Sequence, residues 1–173
     1  MKYVSTSDIS AAPAAVTAAE AIKKGLAPDG GLYIPVGVPK LTHGDMDVLL
    51  HKSYDERAAY ILSMFLDDYD SDALAADCRT AYGEERFPGG AAPLHKIDDT
   101  DYSLELWHGP TSAFKDMALQ IMPRLLSRAL KMTGEEKTAY ILVATSGDTG
   151  KAALEGYKDV TASRWLCSIP MKG

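Results

Sequence analysis

Apolar residues change their spacing along this chain, and the changes mark out its elements. Residues 2–6 are a short strand candidate. Ala14 to Lys24 is rich in alanine, the strongest helix former, and Gly25 stands where such a helix would end. Residues 27–35, Ala-Pro-Asp-Gly-Gly-Leu-Tyr-Ile-Pro, read as a tight turn running into a short extended segment. Ser53-Tyr-Asp-Glu56 has capping-box spacing, and Tyr54, Ala58, Ile61, Leu62 and Phe65 then fall on one helical face. The spacing predicts a second helix from about Ser71 to Tyr82, with Leu74, Cys78 and Ala81 inward. Residues 83–93 hold three glycines and two prolines, which divide the chain into a small helical domain, 1–88, and a second domain, 89–173.

The texture changes from Tyr102 onward. Tyr102–Trp107 is a strand candidate, and His108-Gly-Pro-Thr111 is a turn. A long amphipathic helix follows, with Phe114, Met117, Ala118, Ile121, Met122, Leu125 and Leu126 as its stripe. Pro123 falls inside it and predicts a kink, because proline lacks the donor for the Leu119 carbonyl and crowds it. Tyr140–Ala144 is nearly all apolar, as in a strand buried on both faces. Thr145–Gly150 is a turn, and Lys151–Tyr157 begins another helix. Strand, helix, strand, turn, helix is the opening of a doubly wound α/β sheet.

Composition narrows the function classes. With 46% hydrophobic and 24% charged residues, the 173-residue chain has ordinary globular usage. Its net charge is −6 and its basic residues are scattered, which argues against a nucleic-acid surface. Cys78 and Cys167 have no metal-ligand spacing, so neither zinc nor a disulfide framework is expected. The first residues lack the apolar core of a signal peptide, and no apolar run nears the ~20 residues that span a bilayer. The expectation is a cytoplasmic protein without a membrane partner.

Two segments carry candidate chemistry. In His-Gly-Pro-Thr-Ser-Ala-Phe-Lys-Asp, residues 108–116, Lys115 falls in the first turn of a helix expected to be capped by Thr111 or Ser112. A helix N-terminus and burial beside Phe114 would both disfavour an ammonium, leaving a neutral amine able to attack an aldehyde. From these residues alone, an exposed surface lysine is the other possibility. In residues 144–157, a glycine-rich turn between strand and helix presents backbone amides to a phosphate or carboxylate; a plain connecting turn is the alternative. A P-loop is excluded, since Thr145 and Ala152 replace its required glycine and hydroxyl.

The segments Ser-Leu-Glu-Leu-Trp-His-Gly-Pro-Thr-Ser-Ala-Phe-Lys-Asp-Met-Ala-Leu-Gln (103–120) and Ala-Thr-Ser-Gly-Asp-Thr-Gly-Lys-Ala-Ala (144–153) together resemble the threonine synthase family. Residues 25–35 and 53–66 resemble its N-terminal signature and first-domain helix, so the resemblance covers roughly residues 1–160. It implies a fold-type-II pyridoxal 5'-phosphate (PLP) enzyme that converts O-phospho-L-homoserine and water into L-threonine and phosphate. Lys115 matches the lysine that holds PLP and moves protons. Thr145, Ser146, Gly147 and Thr149 match a loop that grips the substrate carboxylate, and Asp148 approaches the cofactor's phenolic oxygen. Asp116 would suit the first helical turn. His108 is expected to hold the turn rather than act as acid or base, and Glu105 to orient its neighbours.

Family members are more than twice this length. The resemblance therefore implies an α/β fold consisting of a small helical N-terminal domain plus an incomplete PLP-binding parallel sheet. The glycine-rich cofactor-phosphate loop is expected beyond it. After Asp159 the sequence departs from the family: Arg164-Trp165 breaks the pattern, and Ser-Ile-Pro-Met-Lys-Gly keeps a trace of a Tyr-Pro turn. Ser7 replaces a common arginine. The expectation is a truncated form, inactive alone, and unstable or oligomeric through its unpaired sheet edge. Two alternatives stand beside it: one subunit of a split PLP-dependent lyase, and a small-anion or carboxylate-binding module. Related phospho-amino-acid lyases share much of the pattern.

Overall fold

The structure, a computed structural model, describes residues 1–145, 147–158, 160 and 163–168. The candidate site residue Ser146 and the Ile169–Gly173 end with its Tyr-Pro-like trace lie outside the described residues. The chain divides into two compact units, residues 1–76 with 128–136 and residues 77–127 with 137–173.

In the first unit, β1 (Tyr3–Ser5) pairs antiparallel with β2 (Tyr33–Pro35), Val4 opposite Ile34. Helix α1 (Ala18–Lys24) starts at Thr17, whose hydroxyl accepts the Glu20 amide while the Glu20 carboxylate accepts the Thr17 amide at 2.9 Å. Gly25 ends it with φ 69, a conformation that glycine adopts without penalty. The 27–31 turn is fastened by Asp29, whose Oδ1 accepts from Ser5 Oγ at 2.7 Å and from the Gly31 amide at 2.9 Å. A Cβ on Gly31 would lie 2.1 Å from Ser5 Oγ, so the motif's second glycine is required by close approach.

Helix α2 (His43–Leu50) is not among the elements that the hydrophobic pattern predicts; its signal is the Thr42-x-x-Asp45 capping box. Helix α3 (Tyr54–Phe65) follows Ser53 as its capping box predicts, with Glu56 accepting the Ser53 amide at 2.9 Å. Tyr3 donates its hydroxyl to the Phe65 carbonyl at 2.9 Å, and Asp68 accepts the Ala19 amide at 2.9 Å, tying strand, α1 and the end of α3 together. Helix α4 (Ser71–Tyr82), which begins in the first unit and ends in the second, runs between the expected ends, and Leu74, Cys78 and Ala81 are fully buried on one face.

In the second unit, β3 (Leu94–Lys96) and β4 (Tyr102–Leu104) form a hairpin. The expected single long helix after the 108–111 turn is two helices, α5 (Asp116–Leu119) and α6 (Met122–Met132), whose last residues, from Arg128, are counted with the first unit. Pro123 explains the break, because in the first turn of α6 its missing donor costs nothing. The stripe breaks there too. Ile121, Leu125 and Leu126 are buried, whereas Phe114 and Ala118 are exposed. Strand β5 (Ala139–Ala144), helix α7 (Asp148–Tyr157) and strand β6 (Ser163–Ser168) form a parallel βαβ unit, with Ala139 opposite Ser163 and Ala144 opposite Ser168.

Helix α7 begins at Asp148, one turn before the expected Lys151, because the Gly147 backbone is already extended and enters the helix there. Strand β5 is not buried on both faces. Its exposure alternates, and Tyr140 and Leu142 are 63% and 73% exposed while Ile141 and Val143 turn toward α7's side. Among the described residues no helix is long and apolar enough to cross a membrane.

Hydrogen bonds hold several turn and capping carboxylates below their usual range, among them Asp29 through the Ser5 hydroxyl, Glu20 through the Thr17 amide and Glu56 through the Ser53 amide. A carboxyl lowered in the folded state stabilises it above the unfolded value, about pH 4, and that contribution disappears as pH falls through the lowered value. Asp29→Asn removes one such contribution. Its melting temperature should trail wild type near neutrality and converge with it on acidification below about pH 4. A gap that stays constant in circular-dichroism melts across that range would contradict this.

Candidate active site

The turn before Lys115 is built around one buried carboxylate. Asp116 has no exposed surface. Its Oδ2 accepts the Thr111 amide and its Oδ1 accepts the Thr111 hydroxyl, both at 2.8 Å. Thr111 therefore does not cap α5, and neither does Ser112; Lys115 itself occupies the capping position without a side-chain bond. The hydroxyl that would have accepted a helix amide instead donates to Asp116, and Asp116 is more than a first-turn surface charge. Gly109 passes so close that a Cβ there would lie 2.6 Å from both Cβ and Oδ2 of Asp116. Ser112 bends the chain back with φ 56, the one positive φ outside glycine among the described residues.

Lys115 leaves this turn half-buried. The expected burial beside Phe114 is not found: Phe114 is 58% exposed, and the Lys115 Nζ lies over its ring at 4.8 Å from the centroid. The side-chain nitrogen thus rests on an exposed ring face rather than in an apolar pocket. Upstream, His108 Nε2 is 2.6 Å from Glu105 Oε2, and its ring stacks on Trp107 at 5.7 Å. Both partners fix the imidazole at the entrance of the turn. His108 also lines a cleft of about 520 Å³ with Arg86, Glu155 and Lys158; among the described residues, neither Lys115 nor residues 145 and 147–149 are part of that lining.

The second segment meets the first through helix packing. Helix α5 packs on α7. Their contact depends on Gly156, where a Cβ would lie 1.9 Å from the Leu119 carbonyl oxygen and 3.6 Å from Pro123 Cγ. Leu119 is the carbonyl that Pro123 leaves without a helical donor, so the helix break and the bare glycine surface fit each other. At the other end of α7, Gly147 donates its amide to Thr145 Oγ1 at 3.2 Å, and the helix has no side-chain cap. Gly150 packs under Thr145, since a Cβ there would be 1.7 Å from Thr145 Cγ2. Thr145 is half-buried, and Gly147, Asp148 and Thr149 are exposed. Lys151, whose role the motif does not reveal, donates from Nζ to the Thr111 carbonyl at 3.3 Å. The start of α5 with Lys115 and the start of α7 with residues 145 and 147–149 thus belong to one packed substructure.

These residues fit PLP by their chemistry. A half-buried primary amine is available to an aldehyde, and an uncapped helix N-terminus with flanking hydroxyls is available to an anion. Among the described residues, no group of three or more His, Cys, Asp or Glu is placed to hold a metal ion.

The two-unit α/β architecture, with a lysine-bearing turn beside a parallel βαβ unit, is that of fold-type-II PLP enzymes. Residues 2–82 match the family described as threonine synthase N terminus. The chain is 39% identical over 158 residues to threonine synthase of Corynebacterium glutamicum, spanning 88% of this chain and 32% of that one. It is 40% identical over 141 residues to human threonine synthase-like 1, spanning 80% of this chain and 19% of that one. The crystal structure of PLP-bound threonine synthase from Brucella melitensis superposes with a TM-score of 0.87 at 37% identity, over 98% of this chain and 36% of that one. The chain is similar to the N-terminal part of threonine synthases. It spans about a fifth to a third of the length of the relatives in sequence, and little more than a third of the solved one.

The fit of α5 against α7 predicts a specific intolerance. Gly156→Ala drives a methyl into the Leu119 carbonyl and should cost roughly 1–3 kcal/mol, as overpacking does. Denaturant melts of the variant check this; unchanged stability would show that the two helices are free to separate.

Proposed function

We propose that this chain serves threonine biosynthesis as the lysine-bearing part of a PLP-dependent threonine synthase, a cytoplasmic enzyme that converts O-phospho-L-homoserine and water into L-threonine and phosphate. The observation that carries this reading is the placement of Lys115 on a turn pinned by the buried Asp116, on a helix packed against α7. The catalytic part would extend over residues 89–173, following an N-terminal domain of residues 1–88. Its substrate is a small phosphorylated amino acid; no nucleic acid and no membrane take part.

In this reading the Lys115 amine holds the cofactor and moves protons at its Nζ. PLP, when bound, supplies the electron sink that carbanion chemistry requires. The hydroxyls of Thr145, Ser146 and Thr149 hold the substrate carboxylate in a loop that Gly147 shapes, since donors at a helix start favour an anion. Asp148 faces the cofactor. The Gly147–Thr145 hydrogen bond and the tight seat of Gly150 keep this loop in a fixed shape, so that little ordering is needed on binding.

A PLP titration of the purified chain, followed by borohydride reduction and peptide mapping, tests the reading. The expected result is a single pyridoxyl adduct at Lys115 that is lost in Lys115→Ala. No adduct, or one spread over many lysines, would overturn it. Carboxylate binding that survives Lys115→Ala without any adduct would instead support a small-anion module.

A further inference from the structure

We infer that Lys151 and Asp116 are positioning residues, which together clamp Thr111 so that the Lys115 amine and the first turn of α7 keep a fixed relation. The inference rests on the reading of Lys115 given above, but its geometry stands independently. All three polar groups of Thr111 are engaged. Its amide and hydroxyl donate to Asp116 at 2.8 Å, and its carbonyl accepts from Lys151 Nζ at 3.3 Å. Thr111 is 7% exposed and Asp116 is fully buried, so water does not replace these partners easily.

Each clamp residue is next to a residue it would position. Asp116 follows Lys115 in the chain, and fixing its side chain fixes the direction in which the Lys115 side chain leaves the backbone. Lys151 lies three residues after Asp148, one helical turn along α7. Its bond to the 108–112 turn carries any displacement of that turn to the loop at 145–149. A carbonyl acceptor calls for a donor on a long stem, and a charged donor strengthens the bond. Lys151 is otherwise exposed, so its replacement leaves the packing of α7 intact. Methionine keeps much of the stem and removes the donor, whereas arginine keeps both.

The test is amide hydrogen exchange on the full chain, with wild type, Lys151→Met and Lys151→Arg compared peptide by peptide. The expected result is about tenfold faster exchange over residues 109–116 in Lys151→Met, restored in Lys151→Arg, with exchange in β1 unchanged in both. Unchanged exchange over 109–116 in Lys151→Met, or an equal rise everywhere, would overturn the inference. In parallel, pyridoxyl mapping should show label spreading from Lys115 to other lysines in Lys151→Met and returning to Lys115 in Lys151→Arg; label as confined in Lys151→Met as in wild type would overturn it. Absence of any Lys115 adduct in wild type would sink the cofactor reading alone, and the exchange data would then decide the clamp.

Discussion

A carboxylate removed from water must find hydrogen bonds inside the protein, and Asp116 finds them in one residue, Thr111. Much of the candidate site follows from that constraint. The two bonds close a tight loop between residues 111 and 116. Closing it forces Gly109 against the carboxylate and Ser112 into a left-handed conformation. The local strain at Ser112, of order 1–3 kcal/mol, persists because the bonds around it over-determine the turn. Lys115 inherits its direction from that closure. An amine meant to meet one ligand atom gains from such rigidity, because less freedom is lost on binding.

A second constraint sets the helix junction. Pro123 prevents one continuous helix from Asp116 to Met132, which leaves the Leu119 carbonyl without its helical donor. The junction is tolerable because Gly156 of α7 has no side chain and lets that carbonyl approach. Two sequence features more than thirty residues apart therefore explain one contact, and that contact brings α7 and the lysine turn into the same substructure.

Much of this was legible in the residues. The Leu74, Cys78 and Ala81 spacing marks a face that is buried throughout, and the Ser53–Glu56 box starts α3 where it should. These are local signals, with both partners within a turn or two of each other. The stripe from Phe114 to Leu126 misled because period alone assumes one straight helix, and Pro123 divides it into two. Strand β5 misled for a related reason: composition cannot say how many faces are covered, and Tyr140 and Leu142 point to the open one. The motif marks the candidate site residues, but it does not show what holds them. Asp116 read as a first-turn residue and Lys151 as the start of a helix, because their partner Thr111 is identified only by the folded turn.

The most direct measurement of the central constraint is a double-mutant cycle on Thr111→Val and Asp116→Asn, read by denaturant unfolding of the full chain. If the carboxylate and the hydroxyl act as one unit, the coupling should be about 1.5–3 kcal/mol, the range for hydrogen bonds to a charged group. Stability losses that add to within about 0.5 kcal/mol would mean the two side chains contribute separately, and that the lysine turn is held by something else.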